Sequence, residues 1–324
     1  GVVGTTGTTD SATGTALFNT PRGIAVTPDG LTVFVADYSN HAIRKLVNNA
    51  GVWTVSTLAG TPGTYGSNDG VGNLAQFDNP CGLCLDPTGQ YLYVADYYQG
   101  LIRQIELGTA TVITYAGSSY GHLDVSNTYL GSAKFDDPVA LCFGTVGGQE
   151  TLFVLDYYTN CLRAITYNGV ATTKATTTAG MTGSVCSVAG PASGVTSGTF
   201  GYQDGTGTAA KFNNPFGVGI DGSGNLYIAD SSNNCIREVV VPTLSNGTGI
   251  VTTIAGSAAA PGGQDNATGT SAGFKGPQGA LVAGNTLVVA DSGNGTIRTV
   301  DVSSGSTYAT ATSAGAARVQ GYAE

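Results

Sequence analysis

Charged side chains are scarce in this sequence of 324 residues. Asp, Glu, Lys and Arg together make up 10% of the chain, and only 12 residues are Lys or Arg, so the formal net charge is −9. A chain with so few cations has no basic stripe that could neutralise phosphates. We therefore expect no nucleic acid partner, and an anionic membrane surface is disfavoured for the same reason.

Long apolar runs are absent as well. No run reaches 18 residues, so we expect no membrane-spanning helix and no membrane insertion. Nothing at Gly1 resembles a signal peptide, which is compatible with a mature chain whose leader has been removed. Long amphipathic helices are also missing. Instead, 50 glycines accompany short β-branched and aromatic runs, as is typical of short strands joined by tight turns.

What the chain does contain indicates an oxidising, extracellular compartment. An even number of cysteines in a Thr/Ser/Gly-rich chain predicts up to three disulfides. The cysteines are Cys81, Cys84, Cys142, Cys161, Cys186 and Cys235. Three N-glycosylation acceptors fall in predicted loops, at Asn246, Asn266 and Asn294. We therefore expect a secreted glycoprotein that is extracellular or located at the cell surface.

Five copies of one repeat dominate the sequence. Each copy begins with Phe-x-x-Pro and an apolar run, continues with a β-branched run that ends in Asp, and has an Arg seven residues later. A spacing that recurs five times indicates a repeat architecture rather than a chance match. The Asp–Arg pairs are Asp37 and Arg44, Asp96 and Arg103, Asp156 and Arg163, Asp230 and Arg237, and Asp291 and Arg298.

Each repeat unit is predicted to form four strands. Proline has no N–H to donate and fits the start of the first strand. The second strand ends in Asp, the third carries Ile-Arg or its equivalent, and a Thr/Val-rich fourth strand ends at Ala-Gly. The units span about residues 5–60, 61–117, 118–180, 204–256 and 257–315. The third unit is predicted to close at Ala179-Gly180, followed by an insertion at 181–203 that contains Cys186.

A four-stranded unit has two faces to bury, and radial packing covers both of them while protecting the edges. The predicted fold class is therefore all-β: one β-propeller over residues 1–324, built from four-stranded blades. Five repeats predict five blades, with six as the alternative. Val2-Val3 is predicted to add one more strand to the ring.

The repeat resembles the NHL repeat. The pattern Phe-x-x-Pro-x-Gly, then Val-Ala-Asp-x-x-Asn-x-x-Ile-Arg, then Thr-x-x-Gly recurs over residues 18–315, and Asn40-His41 with Ile43-Arg44 is close to the residues that name the family. Propellers of this family usually have six blades, so five copies is a departure. The resemblance implies binding of proteins, glycans or RNA far more often than catalysis, and the charge balance excludes RNA.

The repeated Asp and Arg are interpreted as structural, because Asp can accept turn N–H groups while Arg donates to carbonyls or to that Asp. A second repeated Asp precedes the Phe of every unit and is predicted to be a turn or cap residue. A calcium ion at these loops is the alternative, and no other cofactor is expected. The residues are Asp10, Asp69, Asp124, Asp204 and Asp265.

Catalysis lacks its usual residues. His41 and His122 are the only histidines, too few for a three-histidine zinc site. None of the four glutamates starts an inner strand, where it would face a central channel, and no Gly-x-Ser-x-Gly elbow with a histidine partner occurs. We predict that the protein is not an enzyme. A metal-dependent hydrolase or lyase of the propeller superfamily is the alternative.

Cys81-x-x-Cys84 matches a redox motif but falls on a predicted first strand, where residues three apart point to opposite faces. No helix N-terminus is predicted there to lower a thiol pKa. We expect structural disulfides instead, with Cys186 bonded to either Cys161 or Cys235.

The turn after the repeated Asp differs between units. It carries tyrosine in the first three units and Ser231-Ser232 or Ser292-Gly293 in the last two. The tyrosines either pack against neighbouring blades or form a contact surface, since Tyr offers apolar area with a polar tip. They are Tyr38, Tyr97, Tyr98, Tyr157 and Tyr158. The function predicted overall is a non-catalytic binding or scaffold module, whose partner is another copy in a filament or surface layer, another extracellular protein, or a glycan.

Overall fold

A computed structural model of the chain describes residues 4–12, 15–167, 182–195, 199–244, 248–303 and 306–315. It confirms the all-β prediction: five four-stranded antiparallel blades are arranged as a β-propeller. The prediction of five blades rather than six is therefore confirmed. None of the helices within the described ranges has the length and apolar composition needed to cross a membrane.

The strands follow the repeat. The first blade contains β1 (Pro21–Val26), β2 (Thr32–Asp37), β3 (Ala42–Asn49) and β4 (Val52–Ala59). The second contains β5 (Gly70–Val71), β6 (Pro80–Leu85), β7 (Tyr91–Asp96), β8 (Leu101–Glu106) and β9 (Thr111–Ala116). The third contains β10 (Val125–Tyr129), β11 (Pro138–Val146), β12 (Gln149–Asp156), β13 (Cys161–Tyr167) and β14 (Thr182–Ala189).

The fourth blade contains β15 (Gly205–Thr206), β16 (Pro215–Ile220), β17 (Leu226–Asp230), β18 (Cys235–Val240) and β19 (Ile250–Gly256). The fifth contains β20 (Pro277–Ala283), β21 (Thr286–Asp291), β22 (Thr296–Asp301) and β23 (Thr310–Ala314). Each blade places its strands in chain order from the Pro-led strand outwards. In the second, third and fourth blades, a short strand from the preceding loop pairs with the outermost strand.

The same outer pairing is reduced to one bridge in the other two blades, where Ser11 meets Val55 and Asn266 meets Thr310. Every outer pairing begins directly after the second repeated Asp. The extra strand predicted at Val2-Val3 lies outside the described residues.

The chain divides into two compact units. The first comprises Gly1–Phe143 with Tyr167–Val185, and the second comprises Gly144–Thr166 with Cys186–Glu324. The core of the first unit includes Phe34, Ile43, Phe77 and Leu92, which are all 2% exposed or less.

The core of the second unit includes Tyr227, Ile236, Phe274 and Leu287. In both cores, the Pro-x-Gly signature lets first strands of neighbouring blades approach closely. A Cβ atom at Gly217 would lie 2.2 Å from the carbonyl oxygen of Gln278, a separation that real Cβ atoms do not show.

The fourth strand of the third blade lies later in the sequence than predicted. The predicted end at Ala179-Gly180 is wrong, because β14 runs to Ala189 and Gly190 takes the closing position. Gly190 has φ 104°, and a Cβ there would lie 2.5 Å from the Asn160 carbonyl oxygen, as one at Gly256 would lie 2.4 Å from that of Asn234. The segment 181–203 is therefore not a simple insertion, since it contains a blade strand. Two Ala-Gly pairs ten residues apart make the sequence ambiguous at this point.

Candidate functional site

The repeated Asp and Arg lie inside the blades, and each member of the five pairs is 0% exposed. In the fourth blade, Arg237 Nη1 donates to Asp230 Oδ2 at 2.8 Å. The other oxygen, Oδ1, accepts the backbone N–H of Asn213 at 2.8 Å. Asn233 Nδ2 also donates to Oδ2, at 2.9 Å. The pairs of the first, second, fourth and fifth blades therefore tie the end of the second strand to the third strand and to the segment that leads into the first.

The second repeated Asp completes this network. Asp204 Oδ1 accepts Arg237 Nη2 at 2.7 Å and the Thr253 hydroxyl at 2.9 Å, while Oδ2 accepts the Thr253 N–H at 3.1 Å. Asp10, Asp69 and Asp265 make the same ion pair with the arginine of their own blade. These carboxylates are already bonded to protein donors, as the predicted turn or cap role requires. Within the described ranges, no three His, Cys, Asp or Glu side chains form a group that could hold a metal ion.

His41 also has a structural role. It ends the turn after Asp37 with φ 56°, and its Nδ1 accepts the backbone N–H of Asn79 in the next blade at 3.1 Å. In the second unit, Asn160 and Asn234 do the same through Oδ1, accepting the N–H of Asn214 at 2.7 Å and of Gly276 at 3.0 Å. A left-handed residue with a side-chain acceptor thus links neighbouring blades.

The tyrosines of the first unit form one cluster. Tyr38 is 8% exposed and lies under the Arg22 guanidinium, with 3.6 Å between its ring centroid and Cζ. The ring of Tyr97 is 6.1 Å from that of Tyr38 and 4.8 Å from that of Tyr98, both edge to face. The hydroxyl of Tyr120, from the next inter-blade loop, donates to the carbonyl oxygen of Tyr98. We call Tyr38, Tyr97, Tyr98 and Tyr120 the tyrosine face.

Only part of the tyrosine face reaches solvent. Tyr98 is 46% exposed and Tyr120 is 48% exposed, whereas Tyr38 and Tyr97 support them from below. Packing and contact, the two alternatives posed by the sequence, therefore fall on different residues. The sequence did not indicate Tyr120, because its position depends on where an inter-blade loop crosses a turn.

Carboxylates surround this face. Asp137 is hydrogen-bonded to the Tyr97 hydroxyl, and burial together with the neighbouring Asp136 raises the pKa of Asp137. Burial, followed by the charge of Asp137, raises the pKa of Tyr120 to about 12. Burial raises the pKa of Tyr97 further still. The phenols are therefore uncharged at neutral pH, and the face combines apolar rings with negative charge at its edge.

Tyr157 and Tyr158 lie in the second unit. The ring of Tyr157 packs edge to face on Phe216 at 6.0 Å, and Tyr158 is 51% exposed. The second unit thus also pairs one packed tyrosine with one exposed tyrosine after its repeated Asp.

The glycosylation acceptors have different environments. Asn294 is 6% exposed, and its Nδ2 donates to Asp291 Oδ2 at 2.8 Å and to the Gly262 carbonyl oxygen at 2.6 Å. The prediction of a glycan at Asn294 is therefore wrong for the folded protein, because the acceptor nitrogen is buried and has no N–H left for an added sugar to replace. Asn266 is exposed, and Asn246 lies outside the described residues.

No disulfide joins any of the six cysteines, all of which lie in the described part of the chain. Cys81 and Cys84 face opposite ways, as strand geometry requires. The Cys81 thiol accepts Arg22 Nη1 at 3.9 Å in the preceding blade, whereas Cys84 is bonded to the backbone of Phe143 in the following blade. Burial raises the pKa of Cys81 to about 11 and that of Cys84 to about 12, so neither thiol is ionised at neutral pH.

The fold and the repeated ion pair define a β-propeller of four-stranded blades. A family model for the NHL repeat matches residues 18–46 and 212–238. The chain is 29% identical to NHL repeat-containing protein 2 of Bos taurus over 310 residues, covering 88% of this chain and 39% of that protein. The family model and these relatives support the NHL-repeat β-propeller that the repeat pattern predicted.

Other relatives are more distant. Protein SUPPRESSOR OF QUENCHING 1, chloroplastic, of Arabidopsis thaliana is 27% identical over 313 residues, covering 94% of this chain and 27% of that protein. The chain thus spans less than half the length of these curated relatives. An auxiliary nutrient binding protein of Bacteroides ovatus superposes with a TM-score of 0.60 at 16% identity, covering 86% of this chain and 58% of that one. A chain of the nidogen/laminin complex superposes with a TM-score of 0.54 at 12% identity, covering 88% and 76%. These two similarities concern the fold alone.

Proposed function

We propose that this chain is a non-catalytic binding module that docks a partner protein through the tyrosine face. The observation that carries the proposal is the fixed position of two exposed aromatic side chains. Tyr120 is hydrogen-bonded to the Tyr98 backbone, and Tyr98 packs edge to face on Tyr97, yet Tyr98 and Tyr120 remain about half exposed. Aromatic groups that are ordered before binding lose little conformational freedom when a partner covers them.

The chemistry of the face is typical of protein interfaces. Tyrosine is enriched in the buried centre of interfaces, where a flat apolar ring and a polar tip both find contacts. The carboxylates of Asp136 and Asp137 at its edge favour a partner surface that carries Lys or Arg, by charge complementarity and by cation–π contact with the exposed rings.

Affinity capture with three purified baits tests this proposal. Bait one is the unaltered chain, bait two carries Tyr98→Ala with Tyr120→Ala, and bait three carries Tyr129→Ala, an exposed tyrosine of β10 outside the face. We expect a partner that the first and third baits retain and the second loses. Identical capture by all three baits would contradict docking through this face. A glycan array and light scattering on the same three proteins distinguish a glycan partner and a second copy of the chain from a different protein.

The finer features of the proposal are a secreted, glycosylated protein that assembles with its own copies. The exposed acceptor Asn266 supports the glycosylation. Intact mass and light scattering of the native protein, with and without glycosidase, provide the test. A mass above 32.4 kDa that falls on deglycosylation, in particles of several subunits, is expected. A monomer at the sequence mass would contradict both features.

A further inference from the structure

A polar cavity of about 590 Å³ lies in the second unit, at the turns that join β16 to β17, β20 to β21 and β22 to β23. Its side chains supply mostly oxygen atoms, and the described lining residues include no Lys, Arg or His. The residues used below are Asp221, Asn225, Tyr227, Glu238 and Tyr308. Two carboxylates therefore share one cavity without a protein cation among the described residues that line it.

The phenol of Tyr227 lies between the carboxylates of Asp221 and Glu238 and has only one proton to donate to them. The Tyr227 hydroxyl lies 3.1 Å from Asp221 Oδ2 and 3.3 Å from Glu238 Oε1, and Tyr227 is 1% exposed. A phenol donates one hydrogen bond. When it donates to Asp221, the oxygen atoms of Tyr227 and Glu238 face each other without a proton from the phenol. Burial raises the pKa of Tyr227, followed by the charges of Asp221 and Glu238, so the phenol keeps its proton.

The other hydrogen bonds in the cavity do not supply the donor that is missing. Tyr308 donates to Glu238 Oε2 at 3.2 Å, and Asn225 Nδ2 donates to Asp221 Oδ2 at 3.0 Å. Asp221 Oδ1 accepts the backbone N–H groups of Ser223 and Asn225. Glu238 Oε1 is therefore the acceptor that lacks a donor when Tyr227 turns to Asp221.

The equivalent positions of the second blade have no such shortage of hydrogen-bond donors. Tyr93 faces Gln104 across β7 and β8, as Tyr227 faces Glu238 across β17 and β18. Gln104 Nε2 donates to the Tyr93 hydroxyl at 2.8 Å. The rings of Tyr115 and Phe143 pack on Tyr93 at 4.9 Å and 5.3 Å and fill the space.

In the fourth and fifth blades, the filling residues are smaller. Ile254 stands where the second blade has Tyr115, next to the strand bulge, and Val282 stands five residues after the first-strand proline, where Phe143 stands in the third blade. Two rings and an amide donor are thus replaced by two aliphatic side chains and a carboxylate. Ile254 and Val282 do not line the cavity themselves, so the difference that reaches it is the exchange of the amide donor for the Glu238 carboxylate, which leaves one acceptor without a proton from Tyr227.

We propose that this cavity binds a small protonated amine, whose ammonium group donates to Glu238 Oε1 and lies near the Asp221 carboxylate. The ammonium supplies the one donor that Glu238 Oε1 lacks, and its positive charge offsets part of the negative charge of the two carboxylates. Calcium fits less well, since it requires six to eight oxygen ligands and both oxygens of Asp221 already accept protein N–H or O–H groups.

Calorimetric titration with 1,4-diaminobutane tests the proposal, with calcium chloride as a parallel titrant. We expect saturable binding of one diamine per chain. Glu238→Gln should weaken it by about tenfold or more, because it recreates the neutral donor that Gln104 provides in the second blade. Glu106→Gln removes the same charge from a partly buried residue at the end of β8, outside the cavity, and should leave binding unchanged, which controls for net charge.

A second variant guards against a local effect of the glutamine. Val302→Phe places a ring on a residue that lines the cavity, so it should occlude the cavity and also abolish diamine binding, and a thermal melt checks that the variant is folded. Diamine binding that survives in both variants would overturn the proposal. So would the absence of saturable diamine binding, and calcium binding alone would assign the cavity to a metal instead.

Discussion

The turns after Asp96 and Asp230 are built on the same hydrogen bonds but present different surfaces. In both blades, the aspartate accepts its arginine at Oδ2, at 2.9 Å and 2.8 Å, and a backbone N–H at Oδ1, at 2.7 Å and 2.8 Å. The next two residues are Tyr97-Tyr98 in one turn and Ser231-Ser232 in the other. The difference teaches that the interior of the blade fixes the turn, while the outward residues are free to specify a contact.

The largest effect is expected when the arginine that pairs with the buried aspartate is removed. Arg237→Ala leaves the buried Asp230 carboxylate without its guanidinium and the Gln203 and Lys211 carbonyls without their donor. We expect a loss of about 3 to 5 kcal/mol in the free energy of unfolding. Ser232→Ala, two residues from Asp230, should change it by less than about 0.5 kcal/mol. Chemical denaturation of both variants measures the difference, and equal effects would show that the interior does not set the turn.

A second test uses alkaline pH to probe the burial of Cys81 in the interior. The pKa of Cys81 is raised from 9.0 to about 11 by burial, so the folded state disfavours its thiolate. Stability from this group is complete below pH 9 and is lost as the pH rises toward 11. We expect the unaltered chain to lose on the order of 1 to 3 kcal/mol more than Cys81→Ala over this window. Parallel alkaline titrations of the two proteins would refute the assigned burial.

A third test concerns the link between blades. His41→Ala removes the acceptor of the Asn79 N–H and should cost about 1 kcal/mol in the free energy of unfolding. His41→Asn should be tolerated, because Asn160 and Asn234 perform the same role through Oδ1. Thermal melting of the two variants at equal pH distinguishes an acceptor role from a role of the imidazole itself; the latter would require both variants to be equally unstable.

The smallest expected effect comes from transferring the surface. Replacing Ser231-Ser232 by Tyr-Tyr should change the free energy of unfolding by less than about 0.5 kcal/mol, since Ser232 is exposed and the bonds to Asp230 are retained. Denaturant midpoints provide the measurement. A large loss would mean that the serines contribute to the turn itself.

Much of the architecture was predictable because the repeated residues mark equivalent positions in every blade. The Asp–Arg spacing fixed the second and third strands of every blade, and the prolines fixed the start of the first. The fourth strand of the third blade was missed because two Ala-Gly pairs satisfy the same pattern. Asn294 was misassigned as a glycan acceptor because a turn asparagine was assumed to face solvent, whereas it caps Asp291 from inside.

The surfaces were only partly predictable. Tyr97 and Tyr98 could be identified from their neighbour Asp96, but Tyr120 and Asp137 join them only through contacts between elements distant in sequence. The cavity around Tyr227 was not predicted, because Glu238 was interpreted only as a residue that could face a central channel. Aligning the third strands would have placed Glu238 opposite Tyr227, where Gln104 stands opposite Tyr93.

The arginines have a consequence for how freely the loops can vary. Four guanidinium groups hold the loop before their own blade through two neighbouring acceptors, a main-chain oxygen atom and the carboxylate of the Asp that follows it. The residues whose carbonyl oxygens accept these bonds are of unlike types: Thr9, Asn68, Gln203 and Gln264. An anchor that needs one Asp and otherwise only main-chain atoms makes the ring a scaffold on which new loop sequences can be exchanged one at a time while the blades stay in register.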